Sequence, residues 1–147
     1  MNITDALLGE HAVFYALFTH LEQSLPAADS LILVNSQAAM LASGLASHAN
    51  LEEDLLFKTL ERQMGPGGPL AVMRMEHEEI EQSLERLSGV KELDQARELL
   101  SYVVSTAREH FAKEENILFP LASQTLSPET LSILGDQWAA IRATVLD

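Results

Sequence analysis

Two stretches of the chain carry the same reactive side chains at the same spacing. Residues 48–52 and 110–114 both read His-x-x-x-Glu, with His48 and Glu52 in one and His110 and Glu114 in the other. In an α-helix the fourth residue on lies ~40° round the axis and ~6 Å along it. Each pair therefore points from one face and can meet at one metal ion or at two adjacent ones. The likeness runs further, since residues 48–57 and 110–119 both fit H-x-x-x-E-E-x-x-L-F. Glu-His recurs too, as Glu10-His11 and Glu76-His77. The chain reads as two helical hairpins, each supplying a lone His and then a His-x-x-x-Glu.

The candidate metal ligands are His11, His48, Glu52, His77, His110 and Glu114. All fall on apolar stripes, where Leu or Ile is usual. One core histidine is more often hydrogen-bonded packing than a ligand. A repeated set of buried polar groups is costly unless it is paired or metal-bound. Four imidazoles and two carboxylates without a thiolate suit iron, with manganese or zinc as alternatives. Two carboxylates at the centre of a bundle are natural bridges between two ions, and they leave open positions that a closed structural site lacks.

Glu81 lies one turn after His77 and shares its face. It is read as a seventh metal ligand or as an acceptor that orients an imidazole, against a solvated acid in the run 76–81. Glu53 and Glu115 lie ~100° from the adjacent ligands and are expected to be flanking groups, exposed or paired with Lys and Arg. His20 sits ~180° from His11 and is expected at the surface. Tyr15 is expected in the core, with a pocket-lining role as the alternative.

Helices must position these groups. Ile3, Leu7, Leu8, His11, Phe14, Tyr15 and Phe18 share one 3.6-period stripe of a first helix from about 4 to 24. A second starts at Asp29 or Ser30 and carries Leu41, Leu45, His48, Glu52, Leu55 and Thr59. It ends before the Gly/Pro cluster at 65–69. A third, from about 70 to 88, carries Leu70, Met73, His77, Ile80, Glu81, Leu84 and Leu87, with Gly89 just past its end. A fourth starts at Leu93 or Asp94 and carries Leu99, Leu100, Val103, Ala107, His110, Glu114, Ile117 and Leu121. Pro120 is expected to kink or end it. Ser127-Pro128-Glu129 then reads as a helix start. Leu131, Leu134, Trp138, Ile141 and Val145 follow it.

The expected fold is all-α: an antiparallel up-down-up-down four-helix bundle over about 3–124, with an additional C-terminal helix over about 128–146. No linker divides the chain, so 1–147 reads as a single domain. The C-terminal helix is expected on its own bundle, with a homodimer through it as the alternative.

Composition narrows the function. Nine Lys+Arg against 22 Asp+Glu give a formal net charge of −13. That balance disfavours nucleic acid and an anionic membrane surface. Cysteine is absent, which removes disulfides, thiolate metal sites, Fe–S clusters and cysteine catalysis. The N-terminus has no basic region of the signal-peptide kind, and no apolar run approaches a membrane span. A cytoplasmic location is the expectation.

At residues 7–11, 48–57, 75–81 and 110–120 the chain resembles the hemerythrin-like, or HHE cation-binding, domains: L-L-G-E-H, H-A-N-L-E-E-D-L-L-F, M-E-H-E-E-I-E and H-F-A-K-E-E-N-I-L-F-P. The resemblance implies a left-handed antiparallel bundle around two iron ions that are carboxylate-bridged and oxo- or hydroxo-bridged. His11, His48, His77 and His110 would then be terminal ligands, with Glu52 and Glu114 as bridges. Oxygen-carrying members have a second His on the third helix, where this chain has Glu81. An anionic ligand there favours the ferric state and changes the open coordination site. Members with fewer third-helix His look like iron or oxygen sensors, or handle nitric oxide or peroxide. The rival ferritin-like bundle needs Glu-x-x-His, which this chain lacks.

The leading functional reading is therefore a non-haem di-iron protein that binds or senses dioxygen, iron or a related small ligand. The alternatives are a di-iron enzyme acting on peroxide, nitric oxide or dioxygen, and a metal-stabilised interaction domain. No catalytic residue is singled out.

Overall fold

The fold is described for residues 1–144 of a computed structural model. Helix α1 spans Ile3–Ser24, and Asn2 caps it by accepting from Asp5 N at 3.0 Å. Helix α2 covers 31–64 as three consecutive segments, Leu31–Leu51, Glu52–Phe57 and Lys58–Met64. Ser30 is its N-cap, accepting from Leu33 N at 3.3 Å. Helix α3 is Pro69–Leu87. Helix α4 covers 93–125 as Leu93–Lys113, Glu114–Leu118 and Phe119–Thr125. Helix α5 is Pro128–Ile141, capped by Ser127, which accepts from Thr130 N at 3.1 Å. The helix expected to reach about 146 ends at Ile141, with Arg142 as its C-cap, and Val145 lies outside the described residues.

Short links join α1 to α4, and the all-helical order is that of a helical bundle with one helix added. The tight link from α2 to α3 turns on Gly65 and Gly68, whose φ values of 79° and 63° suit residues without a Cβ. Two clusters of buried side chains fill the interior. One gathers Phe18, Leu41, Leu100 and Phe111. The other gathers Leu7, Phe57, Leu60 and Leu118 together with Leu131 and Leu134 of α5. Burying each such side chain contributes roughly 1.5–3 kcal/mol. The polar centre lies among these residues, so well-packed apolar groups hold its position.

The middle segments of α2 and α4 are π-helical, and each begins at the glutamate of a His-x-x-x-Glu pair. Phe119 N–H bonds back five residues to Glu114 O, and Lys58 N–H bonds to Glu53 O. A π turn takes in an extra residue and moves the inward register on by one. This corrects the α-helical reading of the stripes. Ile117, expected inside, is 54% exposed, while Leu118 is 0% exposed. Ala122 is buried rather than Leu121, and Leu56 and Leu60 are buried rather than Thr59. The same widening corrects the expectation for Pro120. The residue without an N–H follows a turn whose bonding has already changed, and the helix runs on to Thr125. Leu8 and Ile141 also differ from expectation, both standing exposed.

Helix α5 lies along the start of α1. At Gly135 a Cβ would stand 2.2 Å from Met1 O, so the two backbones touch where only glycine fits. Among the described residues no helix is long and apolar enough to cross a membrane.

Candidate metal centre

Each helix of the bundle delivers its part of the centre. His11 comes from α1, His48 and Glu52 from α2, His77 from α3, and His110 and Glu114 from α4. Their ligand atoms form two overlapping groups, His11-His48-Glu52-Glu114 and Glu52-His77-His110-Glu114, each with atoms within 4.8 Å of one another. Glu52 and Glu114 belong to both.

The two carboxylates each face both ways. Glu114 Oε2 lies 3.1 Å from His11 Nε2, while its Oε1 lies 2.7 Å from His110 Nε2 and 3.5 Å from His77 Nε2. Glu52 Oε1 lies 3.6 Å from His48 Nε2, and its Oε2 lies 3.3 Å from His77 Nε2. Both carboxylates are fully buried. A carboxylate that turns one oxygen to each of two imidazole pairs is placed to bridge two cations.

The ring orientations have identifiable causes. His11 Nδ1 donates to Glu115 Oε1 at 2.9 Å, His48 Nδ1 to Glu10 Oε2 at 2.6 Å, and His110 Nδ1 to Glu76 Oε1 at 3.1 Å. With the proton held on Nδ1, each neutral ring turns its Nε2 lone pair inward. Stacking fixes the planes. Phe111 lies 3.8 Å from His11 at 6°, and Phe57 lies 5.4 Å from His77 at 8°. Phe119, which repeats Phe57, lies 5.5 Å from His11.

The interior that results is rich in lone pairs and poor in protons. Both oxygens of Glu52 and of Glu114, with Nε2 of His77 and of His110, are buried and make no hydrogen bond. His11 Nε2 and His48 Nε2 face each other at 3.2 Å. Leaving buried polar atoms without partners is expensive, and cations at the centre would satisfy all of them. The donor set fits iron, and the residues that would hold it are the six named above.

Electrostatics agree. Burial alone would lower the His77 pKa, but Glu114 and Glu52 outweigh it and raise that pKa to about 9. Burial likewise opposes charge on His11, and the Glu114 carboxylate beside it more than offsets it, so its pKa is raised. Glu52 is pushed up by burial and by the charge of Glu114. Burial pushes Glu114 up as well, but His11, His110 and His77 together hold it well below the usual carboxylate range. Without metal, protons take up part of the role of a cation.

Glu81 stands outside both groups. It is exposed on α3, on the wall of a cleft of about 410 Å³ between α2 and α3. The cleft runs past Ala46, Ala49, Ile80 and Leu84 to His77 and His110. His20 is exposed. Glu53 pairs with Arg74, whose Nε and Nη2 donate to it at 3.0 and 2.8 Å. Glu115 departs from the flanking role expected of it: besides holding His11 Nδ1, it accepts from Tyr15 OH at 3.0 Å. That bond and burial raise the Tyr15 pKa to about 12, with burial the larger cause.

Sequence reasoning missed Glu10, Glu76 and Glu115 as acceptors. The repeated Glu-His dipeptide was the available signal for the first two. Each glutamate serves the histidine of the next helix rather than its own neighbour.

The family model of the hemerythrin HHE cation-binding domain matches residues 2–122. No curated protein and no solved structure matches the chain.

Proposed function

The chain belongs to the hemerythrin HHE cation-binding family, and from that premise we propose that it holds two iron ions across Glu52 and Glu114 and binds or senses dioxygen, or a related small ligand such as nitric oxide or peroxide. The observation that carries this reading is the two-way split of both buried carboxylates between the imidazole pairs. When bound, iron supplies open coordination positions and a change of oxidation state.

The chain's own residues do the rest. Glu10, Glu76 and Glu115 keep protons on the outer ring nitrogens and lone pairs on the inner ones. Phe111 and Phe119 cover His11, and Phe57 covers His77, which keeps the centre dry. The cleft leaves a route for a small ligand towards His77 and His110. Its walls are mostly apolar, which suits a small uncharged molecule.

The test is to expose the reduced, iron-loaded protein to dioxygen and follow its optical spectrum. A change that reverses when dioxygen is removed is expected. Irreversible oxidation without a reversible change contradicts the binding role. Sustained turnover of peroxide or nitric oxide above that of free iron, abolished in Glu52→Ala, would make the protein an enzyme instead.

A further inference from the structure

Helix α5 lies beyond the matched residues, yet it reaches the metal centre through one carboxylate. Glu10 accepts from His48 Nδ1 on one side. On the other it accepts from Trp138 Nε1 at 2.9 Å, from Arg142 Nε at 2.6 Å and from Arg142 Nη2 at 3.2 Å. Arg142 Nη1 also donates to Ser47 Oγ at 2.7 Å, one residue before His48. Arg142 Nη2 also donates to Ser47 O at 3.5 Å, so the same guanidinium grips both the acceptor that orients His48 and the residue before it.

The other half of the bundle manages without such a helix. Glu76, the repeat equivalent of Glu10, holds His110 Nδ1 and is itself held by Lys113 of α4. Arg142 and Trp138 do for Glu10 what Lys113 does for Glu76, but from outside the bundle. Gly135 lets α5 approach α1 closely enough for this contact.

We infer that Trp138 and Arg142 are positioning residues for the His11/His48 half of the centre, so that the docking of α5 sets how tightly that half holds its ion. The inference rests on the metal-binding reading above. An acceptor fixed at both ends keeps the imidazole in one tautomer and one orientation, and losing such a partner typically weakens a metal site roughly 10–100-fold. The effect falls on one ion of the two, because the hydrogen bonds to Glu76 among the described residues come from His110 and Lys113 and none from α5.

The test is a calorimetric titration of the full chain with ferrous iron under anaerobic conditions. Trp138→Phe keeps the aromatic bulk and removes the N–H, and Arg142→Gln removes the charge and the fork. Expected in both variants is a weakening of one binding step, roughly tenfold or more, with the other step unchanged. Arg142→Lys should restore part of it. Gly135→Ala, which strains the docking of α5 without altering any group that touches Glu10, should weaken the same step, and unchanged binding in it counts against the inference. In the unsubstituted protein the emission of Trp138, its single tryptophan, should change with one equivalent of iron and not with the other. Equal weakening of both steps, or a lower melting temperature with both steps unchanged, overturns the inference. Absence of binding in the unsubstituted chain overturns the metal-binding reading itself, so the two failures are distinct.

Discussion

The two imidazole pairs share their carboxylates but not their surroundings. On one side His11 and His48 are 0% and 2% exposed, and both Nδ1 atoms have carboxylate acceptors. On the other side His110 is equally buried, but the side chain of His77 is 16% exposed; the cleft touches His48 of the first pair as well as His77 and His110 of the second. The repeat makes the comparison residue by residue. Phe111 follows His110 in one copy, and Ala49 follows His48 in the other. Phe111 stacks on His11, whereas Ala49 leaves the space beside His77 that becomes the cleft. Glu115 holds His11, but its equivalent Glu53 is drawn away to Arg74. Tyr15, which holds Glu115, has Glu81 as its counterpart. Two substitutions within the repeat, with Glu53 drawn to Arg74, thus leave His77 the more exposed member of the four-imidazole set.

The largest effect should come from what the halves share. Glu114→Ala removes a ligand from both groups, so metal analysis should find both ions lost. The stabilisation that metal provides, about 2.7 kcal/mol at a free concentration one hundred times its Kd, should vanish from thermal unfolding. Next, Glu10→Gln and Glu76→Gln should each weaken one ion roughly 10–100-fold. They should weaken opposite halves, so that the double variant is weak at both in the same titration.

Proton competition should make metal binding depend on pH. In the metal-free protein the His77 pKa is raised from 6.5 to about 9. Its contribution to stability is then fully present below 6.5 and is lost as the pH rises through 9. Metal needs the neutral ring, so binding must expel that proton throughout this window. Affinity should therefore rise with pH between 6.5 and 9, by at most about tenfold per unit for one proton. Titrations at several pH values in different buffers would count the protons released.

The smallest effect is on access. Ala49→Phe should fill the cleft as Phe111 fills the opposite side. Metal content should stay unchanged, while stopped-flow reaction of the reduced protein with dioxygen slows on the order of tenfold, equivalent to about 1.4 kcal/mol of added barrier.

The six candidate ligands, which the fold brings together, were legible in the sequence because their spacing is local and repeated. A helix turns His48 and Glu52 to one side wherever it is placed. The bundle was legible for a similar reason, since apolar stripes and the Gly/Pro cluster at 65–69 mark its elements. The π segments were not, because an i→i+5 bond depends on backbone packing and leaves no signature in residue type. Without their single-residue shift the stripe puts Ile117 in the expected core and Leu118 outside it, the reverse of what is found. The acceptors Glu10, Glu76 and Glu115 were only half legible. A residue ~100° from a ligand faces the adjacent helix, and which group it meets there depends on how the helices are set against one another. Glu81 shows the same limit: its register places it one turn from His77, but it stands exposed on the cleft wall rather than within either ligand group.

The central claim is that two cations share two carboxylates in one chain. The direct measurement is the iron content of folded protein reconstituted anaerobically and freed of excess metal, with Glu114→Ala treated in parallel. The account predicts two ions per chain, falling to none in the variant. One ion per chain in the unsubstituted protein, or two retained in Glu114→Ala, would contradict it.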